Sequence, residues 1–404
     1  MSERPRFVHI VTVPMSFWLV RGQAAIMKRA GFEVHAISSP GPLADQYSRN
    51  EDVPVHPVPI ARRIAPWADA IALVRLVLVL RRLKPHVVQA GTTKAGLLGM
   101  LAAFLVGAPV RIYYLHGLRM LSATGLRRRV LGATERVACR AATHVLCVGP
   151  SVRHELVSAG LCPARKAVVL GDGSCNGVDS TWFDRTRLAE NTREAVRSRL
   201  DLPQNALVIG FIGRLAREKG IGELHGAWGL IRERYPSAYL LVVGPEEPVD
   251  PAPPEALRAL AHDSRVRLVG PDWNTAPLFA AMDLFCLPSH REGLPTVLLE
   301  AAAMEVPIVA FGVPGVVDAV ADGINGNLVE PFSAEALAAA MGRYLDNPRL
   351  RVLHGQAGRR RVVERFQQLK VWAELSAFFR SVYERPVTAG ASQHGRSAAC
   401  TDHA

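Results

Sequence analysis

Two acids eight positions apart, Glu292 and Glu300, flank a Gly-Leu-Pro-Thr turn in the stretch SHREGLPTVLLEAAAMEVPIVAFGVPG. A carboxylate accepts hydrogen bonds from hydroxyl groups. The first acid falls in a loop, and the second about one and a half turns into the helix that follows. Pro295 suits the first helical turn, where its missing N–H costs nothing. The helix N-terminus then offers N–H groups between Leu294 and Val297, with Gly293 and Thr296 beside them, to an anion. Upstream, GFIGRLAREKGI (210–221) sets Gly213 and Arg214 at the end of an expected strand and Lys219 at the start of the next helix. Two cations converging on one point suit a diphosphate.

A diphosphate with a hydroxylated ring on each side is a nucleotide sugar. Glu292 would reach one ring and Glu300 the other. Each acid alone also reads as an ordinary surface group, and the Arg-Glu-Lys run as a solvated one. The reading rests on both acids, Gly293, Pro295 and the basic pair falling on one rim. There is no GxGxxG here, so a dinucleotide fingerprint is unsupported.

The elements that must position these residues recur twice. RFVHIVTV, FEVHAISS, HVVQA, VRIYYLHG, THVLCVG and KAVVLG alternate with helical stretches in the first half. ALVIGFIG, AYLLVVG, VRLVG, DLFCLPS and PIVAFG do so after residue 200. Near-continuous apolar strands separated by helices predict α/β domains with parallel, doubly wound sheets. In such sheets, loops at the carboxyl ends of strands bind ligands. The Gly-, Asp- and Asn-rich GDGSCNGVDSTWFD (171–184) marks the hinge, followed by the charged helical RLAENTREAVRSRLDLP. The expected division is a first Rossmann-like domain over 1–175 and a second over 176–366. A helix over 367–386 returns to the first domain, and a polar, disordered tail covers 387–404.

A chain of 404 residues with 49% hydrophobic content has material for two cores. Its formal net charge of +12 is one-sided: residues 1–180 carry 23 Lys+Arg against 10 Asp+Glu, and 181–404 carry 25 against 26. Such a surface attracts nucleic acid, an anionic leaflet or an acidic substrate. Nucleic acid is disfavoured, because no aromatic-interleaved basic platform or helix-turn-helix pattern accompanies the charge. Six cysteines (Cys139, Cys147, Cys162, Cys175, Cys286, Cys400) form no CxxC pair and no Cys/His metal spacing, which predicts a reducing cytoplasm and no metal site. FVHIVTVPMSFWLV (7–20) lacks a clean signal-peptide cleavage site and reads as a strand and its loop. AGLLGMLAAFLVGAPV (95–110) is shorter than the roughly 20 residues that span a bilayer, so it predicts a buried or membrane-touching helix.

GRLAREKG followed by LPSHREGLPTVLLEAAAMEVPIVAFGVPGVVDAVADGINGNLVEP resembles the retaining, metal-independent family-4 glycosyltransferases of the GT-B fold, two Rossmann-like domains facing each other across a cleft. The likeness covers nearly the whole chain. TTKAGLLGMLAAFLVGAPVRIYYLHGL and GSCNGVD are similar to the branch that builds bacterial capsule, lipopolysaccharide O-chains and related surface glycans on polyprenyl-diphosphate carriers. The resemblance implies that Arg214 and Lys219 hold the donor diphosphate and stabilise the leaving group, and that Glu300 binds the ribose. It implies that Glu292 contacts the donor sugar, with Gly293 and Leu294 supplying backbone N–H groups. His116, in YLHGL, would face the sugar from the first domain. No metal or other cofactor is implied, and the donor would be a UDP-sugar.

Departures lie in the first half. Bulky Met15, Phe17 and Trp18 occupy a loop that is often glycine-rich in the family, and His86 and Gln89 replace residues common there. If the first domain receives a lipid diphosphate, Arg62, Arg63, Arg81, Arg82, Lys84, Arg127, Arg128 and Arg129 would face an anionic cytoplasmic leaflet, predicting peripheral attachment to the inner face of the membrane. The alternatives are a transferase acting on a soluble small-molecule acceptor, a nucleotide-sugar 2-epimerase, which the two-glutamate loop argues against, and a catalytically silent nucleotide-sugar-binding protein.

Overall fold

The structure, a computed structural model, describes residues 4–384; the expected tail over 387–404, with Cys400, lies outside them. The first half forms seven strands: β1 (Arg6–Ile10), β2 (Glu33–Ser38), β3 (Val55–Pro57), β4 (Val87–Gly91), β5 (Val110–Leu115), β6 (His144–Cys147) and β7 (Ala167–Val168). The second forms six: β8 (Leu207–Ile212), β9 (Ala238–Val243), β10 (Val266–Val269), β11 (Leu284–Leu287), β12 (Ile308–Phe311) and β13 (Gly326–Val329).

The two sheets run β3-β2-β1-β4-β5-β6-β7 and β10-β9-β8-β11-β12-β13, and every pairing is parallel. Strand order reverses between β1 and β4 and again between β8 and β11. A doubly wound sheet opens its ligand crevice at that reversal, outside the carboxyl ends. The loop after β8 carries Arg214 and Lys219, and the loop after β11 carries Glu292. The topology thus brings two stretches about seventy residues apart to one rim.

Helices cover both faces, so the central strands are buried throughout: four of six residues in β8, and all of β4, β11 and β12. Two strands were not legible beforehand, β3 and β13, and KAVVLG pairs over only two residues as β7. All three lie at sheet edges. Prolines interrupt the first, and edge strands need neither length nor continuous apolarity. The charged segment after the hinge forms a helix, Thr192–Arg199. Its Arg197 is fully buried and pairs with Asp283 at 2.8 Å, while Arg193 takes the other carboxylate oxygen at 2.7 Å. The same acid accepts from the Val208 N–H, tying the helix to β8.

After the helix Pro348–Arg361 the chain passes a short π-helical turn and returns as the helix Gln368–Glu384. Phe379 there meets Phe7 of β1 edge to face, with centroids 5.1 Å apart, and the Trp372 indole donates to Asn176 at 2.7 Å. The terminal helix is therefore packed on the first sheet.

The halves touch at the cleft through backbone as well as side chains. Gly117 has φ +113°, and a Cβ there would stand 3.0 Å from the Glu292 carbonyl. Gly315, with φ +84°, lies so close to the Gly293 carbonyl that no side chain fits. Ser151 forms a clasp: its hydroxyl donates to Asp318 at 2.6 Å and accepts from the Gly315 N–H at 2.7 Å. Trp18 stacks on Trp273 across the cleft, with centroids 5.0 Å apart and planes 6° apart.

Candidate functional site

Arg214 leaves the end of β8 with both guanidinium nitrogens engaged. One donates to Glu247 at 2.5 Å and the other to Glu218 at 2.7 Å. Burial would lower the Arg214 pKa, but Glu218 and Glu247 outweigh it and raise it. Glu218 bridges to Arg291 of the β11 loop. Burial would raise its carboxyl, yet Arg291 and Arg214 bring it down to about 2. The His290 N–H donates to the Glu218 carbonyl at 2.9 Å, so backbone and side chains together join the two loops.

Lys219 does not begin the next helix as expected. It closes a short 3-10 turn, Arg217–Lys219, before the helix Ile221–Arg234. Its ammonium lies 2.5 Å from Glu292, with both side chains largely buried. The cations expected to be free for an anion are therefore each held by a carboxylate. Coulombic attraction in a half-buried site draws such pairs together. Pro295 is the cap of the helix Thr296–Ala303 rather than part of its first turn.

Glu300 lies on the following turn of that helix. Burial pushes its carboxyl up to about 7, with a hydrogen bond to Thr275 opposing. Its proton is thus labile near neutrality, and a ligand that hydrogen-bonds the carboxylate will expel it. Thr275 follows by two residues Trp273, whose indole stacks on Trp18.

His116 ends just past β5, and its carbonyl abuts Gly293, where a Cβ would collide with it. The imidazole lies 4.7 Å from the Tyr114 ring. Burial lowers its pKa to about 4, so it is neutral at pH 7, able to donate through one nitrogen and accept through the other. Beneath it His9 of β1 is depressed further, to about 3, by burial and then by His116. Gln89, the register partner of His9, is fully buried with neither amide atom paired among the described residues.

Contacts thus join Arg214, Lys219, Glu292, Gly293 and His116 at the cleft, while Gly213 follows β8 and Leu294, Thr296 and Glu300 continue the chain from Gly293 into the helix Thr296–Ala303. Arg62, assigned to the acceptor side, crosses the cleft instead and donates to Glu247 at 2.9 Å. Arg63, Arg127, Arg128 and Arg129 are exposed.

Sequence reasoning missed the acids Glu218 and Glu247 and the arginines Arg119 and Arg291. Glu218 stands four residues after Arg214, a spacing that could have suggested the pair. Arg291 lies between His290 and Glu292 in the β11 loop, where its type and spacing do not set it apart from a solvated arginine. Arg119, just beyond His116, has its pKa lowered by burial and then by Arg291, with Arg127 and Arg214 adding to this and Glu218 opposing. Cations from both halves thus face one another.

Among the described residues no group of three or more His, Cys, Asp or Glu stands close enough to hold a metal ion. None of their helices is long and apolar enough to cross a membrane.

Residues 206–347 match the family described as glycosyl transferases group 1, and residues 18–173 match a glycosyl transferase 4-like domain. Over 379 residues, 94% of this chain and 98% of the relative, the sequence is 33% identical to a capsular polysaccharide biosynthesis glycosyltransferase, CapM, of Staphylococcus aureus. It is 24% identical over 373 residues, 90% of this chain and 94% of the relative, to the UDP-Gal:alpha-D-GlcNAc-diphosphoundecaprenol alpha-1,3-galactosyltransferase of Escherichia coli. Among solved structures, Anabaena HepE in complex with UDP and glucose superposes with a TM-score of 0.77 at 18% identity, covering 93% of this chain and 100% of that one. That likeness shows the fold, two Rossmann-like domains in the GT-B arrangement.

Proposed function

This chain belongs to the family-4 glycosyltransferases of the GT-B fold, and from that premise we propose a specific reaction. It moves a hexosyl or N-acetylhexosaminyl group from a UDP-sugar to a polyprenyl-diphosphate-linked or saccharide acceptor in bacterial surface polysaccharide synthesis. The transfer retains the anomeric configuration and needs no metal ion. The observation that carries this reading is the meeting of the loops after β8 and β11, where Lys219 pairs with Glu292 and Arg214 with Glu218, with Glu300 on the helix that follows and His116 abutting Gly293 across the cleft. The names of the E. coli and S. aureus relatives support the donor, the lipid diphosphate and the capsular setting.

In this reading the diphosphate competes with carboxylates for the cations. Lys219 exchanges Glu292 for a phosphate oxygen, and the freed Glu292 turns to the hydroxyls of the donor sugar. Glu300 gives up its proton and accepts from the ribose. As the bond from the anomeric carbon to the phosphate oxygen breaks, negative charge grows on the departing UDP. Arg214, Lys219 and the N–H groups before Thr296 oppose it. One such preorganised donor is typically worth about 2.7–4 kcal/mol in the transition state. The acceptor hydroxyl attacks from the same face, and its proton passes to the leaving phosphate oxygen. No side chain need form a covalent bond. Neutral His116 hydrogen-bonds the sugar, while Arg119 and Arg127 lie on the side from which an anionic acceptor approaches. The basic first half holds the enzyme to the inner leaflet.

The test is calorimetric titration of UDP, GDP and ADP in EDTA, with wild type and with Lys219→Ala. The expected result is UDP binding that persists in EDTA and weakens at least tenfold in the variant. No nucleotide binding, or binding indifferent to Lys219, would remove the donor site. Sugar label recovered in water-soluble product alone would replace the lipid acceptor with a soluble one.

A further inference from the structure

The helix Pro66–Leu83 is apolar on two opposite sides, and only one of them is covered. Ala72, Leu76 and Leu80 are buried. Trp67, Ile71, Val74 and Leu78 are 87%, 54%, 59% and 50% exposed, and Ile64, just before the helix, is 73% exposed. At 3.6 residues per turn the four exposed side chains fall within an arc of roughly 60°, centred opposite the buried three. A helix apolar all round is ordinarily buried all round. An exposed apolar strip five residues long marks a docking surface.

The charges around the strip choose its occupant. Arg75, Arg81, Arg82 and Lys84 are exposed along its flanks and beyond its end, and Arg63 precedes it. None of Arg75, Arg81 and Arg82 has an ion-pair partner among the described residues. The helix has a single acid, Asp69, which pairs with Lys94 at 2.8 Å and leaves the outer face without negative charge. The helix Thr93–Leu105 packs between this helix and Gly125–Ala141, so the three lie side by side. The last of them exposes Leu126 and Val130 around Arg127, Arg128 and Arg129. A second copy of the chain, meeting this face across a two-fold axis, would oppose arginine to arginine. An anionic bilayer offers hydrocarbon to the strip and phosphate to the cations together.

We propose that the helix Pro66–Leu83 seats its Trp67–Leu78 strip in the headgroup and acyl boundary of an anionic membrane, with Ile64 at the leading edge. This deepens the membrane attachment proposed above by naming the inserting side chains, and it does not depend on the donor chemistry. It has a geometrical consequence. Arg62, two residues before Ile64, reaches across the cleft to Glu247, which also holds Arg214. The inserted edge therefore adjoins the mouth of the cleft, and a lipid-linked diphosphate need move little from the bilayer to reach it.

The experiment is co-sedimentation of the full chain with vesicles of phosphatidylglycerol and phosphatidylcholine, and of phosphatidylcholine alone, at low and high salt. The variants are Trp67→Glu/Ile71→Glu and, separately, Arg81→Glu/Arg82→Glu. Analytical ultracentrifugation and a UDP titration accompany each. Wild type is expected to prefer the anionic vesicles and to remain partly bound at high salt. The apolar double variant should bind at least tenfold more weakly at both salts, with its UDP affinity and sedimentation coefficient unchanged. The arginine variant should lose the preference for anionic lipid. Equal binding by wild type and the Trp67/Ile71 variant would overturn the proposal, as would wild-type binding that vanishes at high salt or shows no preference for anionic lipid. A wild-type dimer dissociated by the apolar substitutions would give the strip to a second copy. Failure of UDP to bind wild type, with the vesicle results intact, would sink the donor site and leave this surface standing.

Discussion

Replacing Glu300 with glutamine isolates the proposed ribose contact from the rest of the site. The amide keeps the shape but loses the charge, and its NH2 group cannot accept. A hydrogen bond to an ionised partner contributes roughly 1.5–3 kcal/mol net. Losing the charged contacts should therefore raise the Kd for UDP about 10- to 150-fold. The structure adds a pH dependence with a definite sign. Burial sets the free carboxyl at about 7, and in the proposed site ribose hydroxyls would bind its ionised form. Wild-type affinity should be full above pH 7 and fall as pH drops through it, because binding must then expel a proton. About one pH unit below that pKa, roughly a tenth of the groups remain ionised, so affinity at pH 6 should be about tenfold weaker than at pH 8. UDP itself titrates in this range, and Glu300→Gln supplies the control: its profile should carry only the ligand's contribution. Calorimetry in two buffers of different ionisation enthalpy would also read the released proton directly. A variant within twofold of wild type at pH 8, or identical profiles for the two proteins, would refute the reasoning.

Removing the carboxylate that holds Lys219 should separate binding from turnover. Glu292→Gln is expected to bind UDP several-fold more tightly, since Lys219 no longer has to leave an ion pair, and to lose at least tenfold in kcat with the sugar donor; parallel losses in both would contradict the exchange. At Glu135, burial pushes the carboxyl up to about 7, although Tyr113 donates to it at 2.7 Å and Arg291 and Arg119 also oppose the rise. Between the ordinary 4.5 and that value the folded chain keeps a proton that the unfolded chain releases, so stability falls as pH rises through this window. Glu135→Gln should therefore be more stable than wild type at pH 8 by roughly 1–3 kcal/mol and nearly equal to it at pH 4.5, read from urea midpoints. Ser151→Ala breaks the clasp between the halves and leaves the half-buried Asp318 carboxylate short of a donor. A loss of about 1–3 kcal/mol is expected, and an unchanged denaturation midpoint would deny the clasp any structural weight.

The fold was legible where burial is symmetric and obscure where it is not. β4, β8, β11 and β12 are covered on both faces and read as near-continuous apolar runs, broken only by Gln89 in β4. β3 and β13, at the sheet edges, need only one neighbour and carry prolines or polar residues without penalty. The site was legible for a similar reason. Glu292, Arg214 and Lys219 sit in loops after strand ends that the alternating pattern locates, and the Gly-Leu-Pro-Thr turn marks the start of the helix that carries Glu300. Their pairing was not legible. Glu247 lies in another loop, after β9, and Arg62 in the other half, so no spacing relates them to Arg214. The stack of Trp18 on Trp273 was hidden in the same way, although Trp18 had already stood out as bulky for its loop. Contacts across a cleft depend on how two bodies meet, and neither half's periodicity records that. The exposed strip on Pro66–Leu83 was unreadable for the opposite reason. A run such as IALVRLVLVL reads as core until the structure shows one side left uncovered.

The central claim is a transfer that uses protein cations in place of a metal ion and keeps the anomeric configuration. It is tested most directly by incubating the enzyme with labelled UDP-sugars and polyprenyl-diphosphate acceptors in excess EDTA, then assigning the new linkage by NMR. The account predicts lipid-extractable product with an α linkage from an α donor, and loss of at least 100-fold in rate for Lys219→Ala. A β linkage, or turnover that EDTA abolishes and a divalent cation restores, would contradict it.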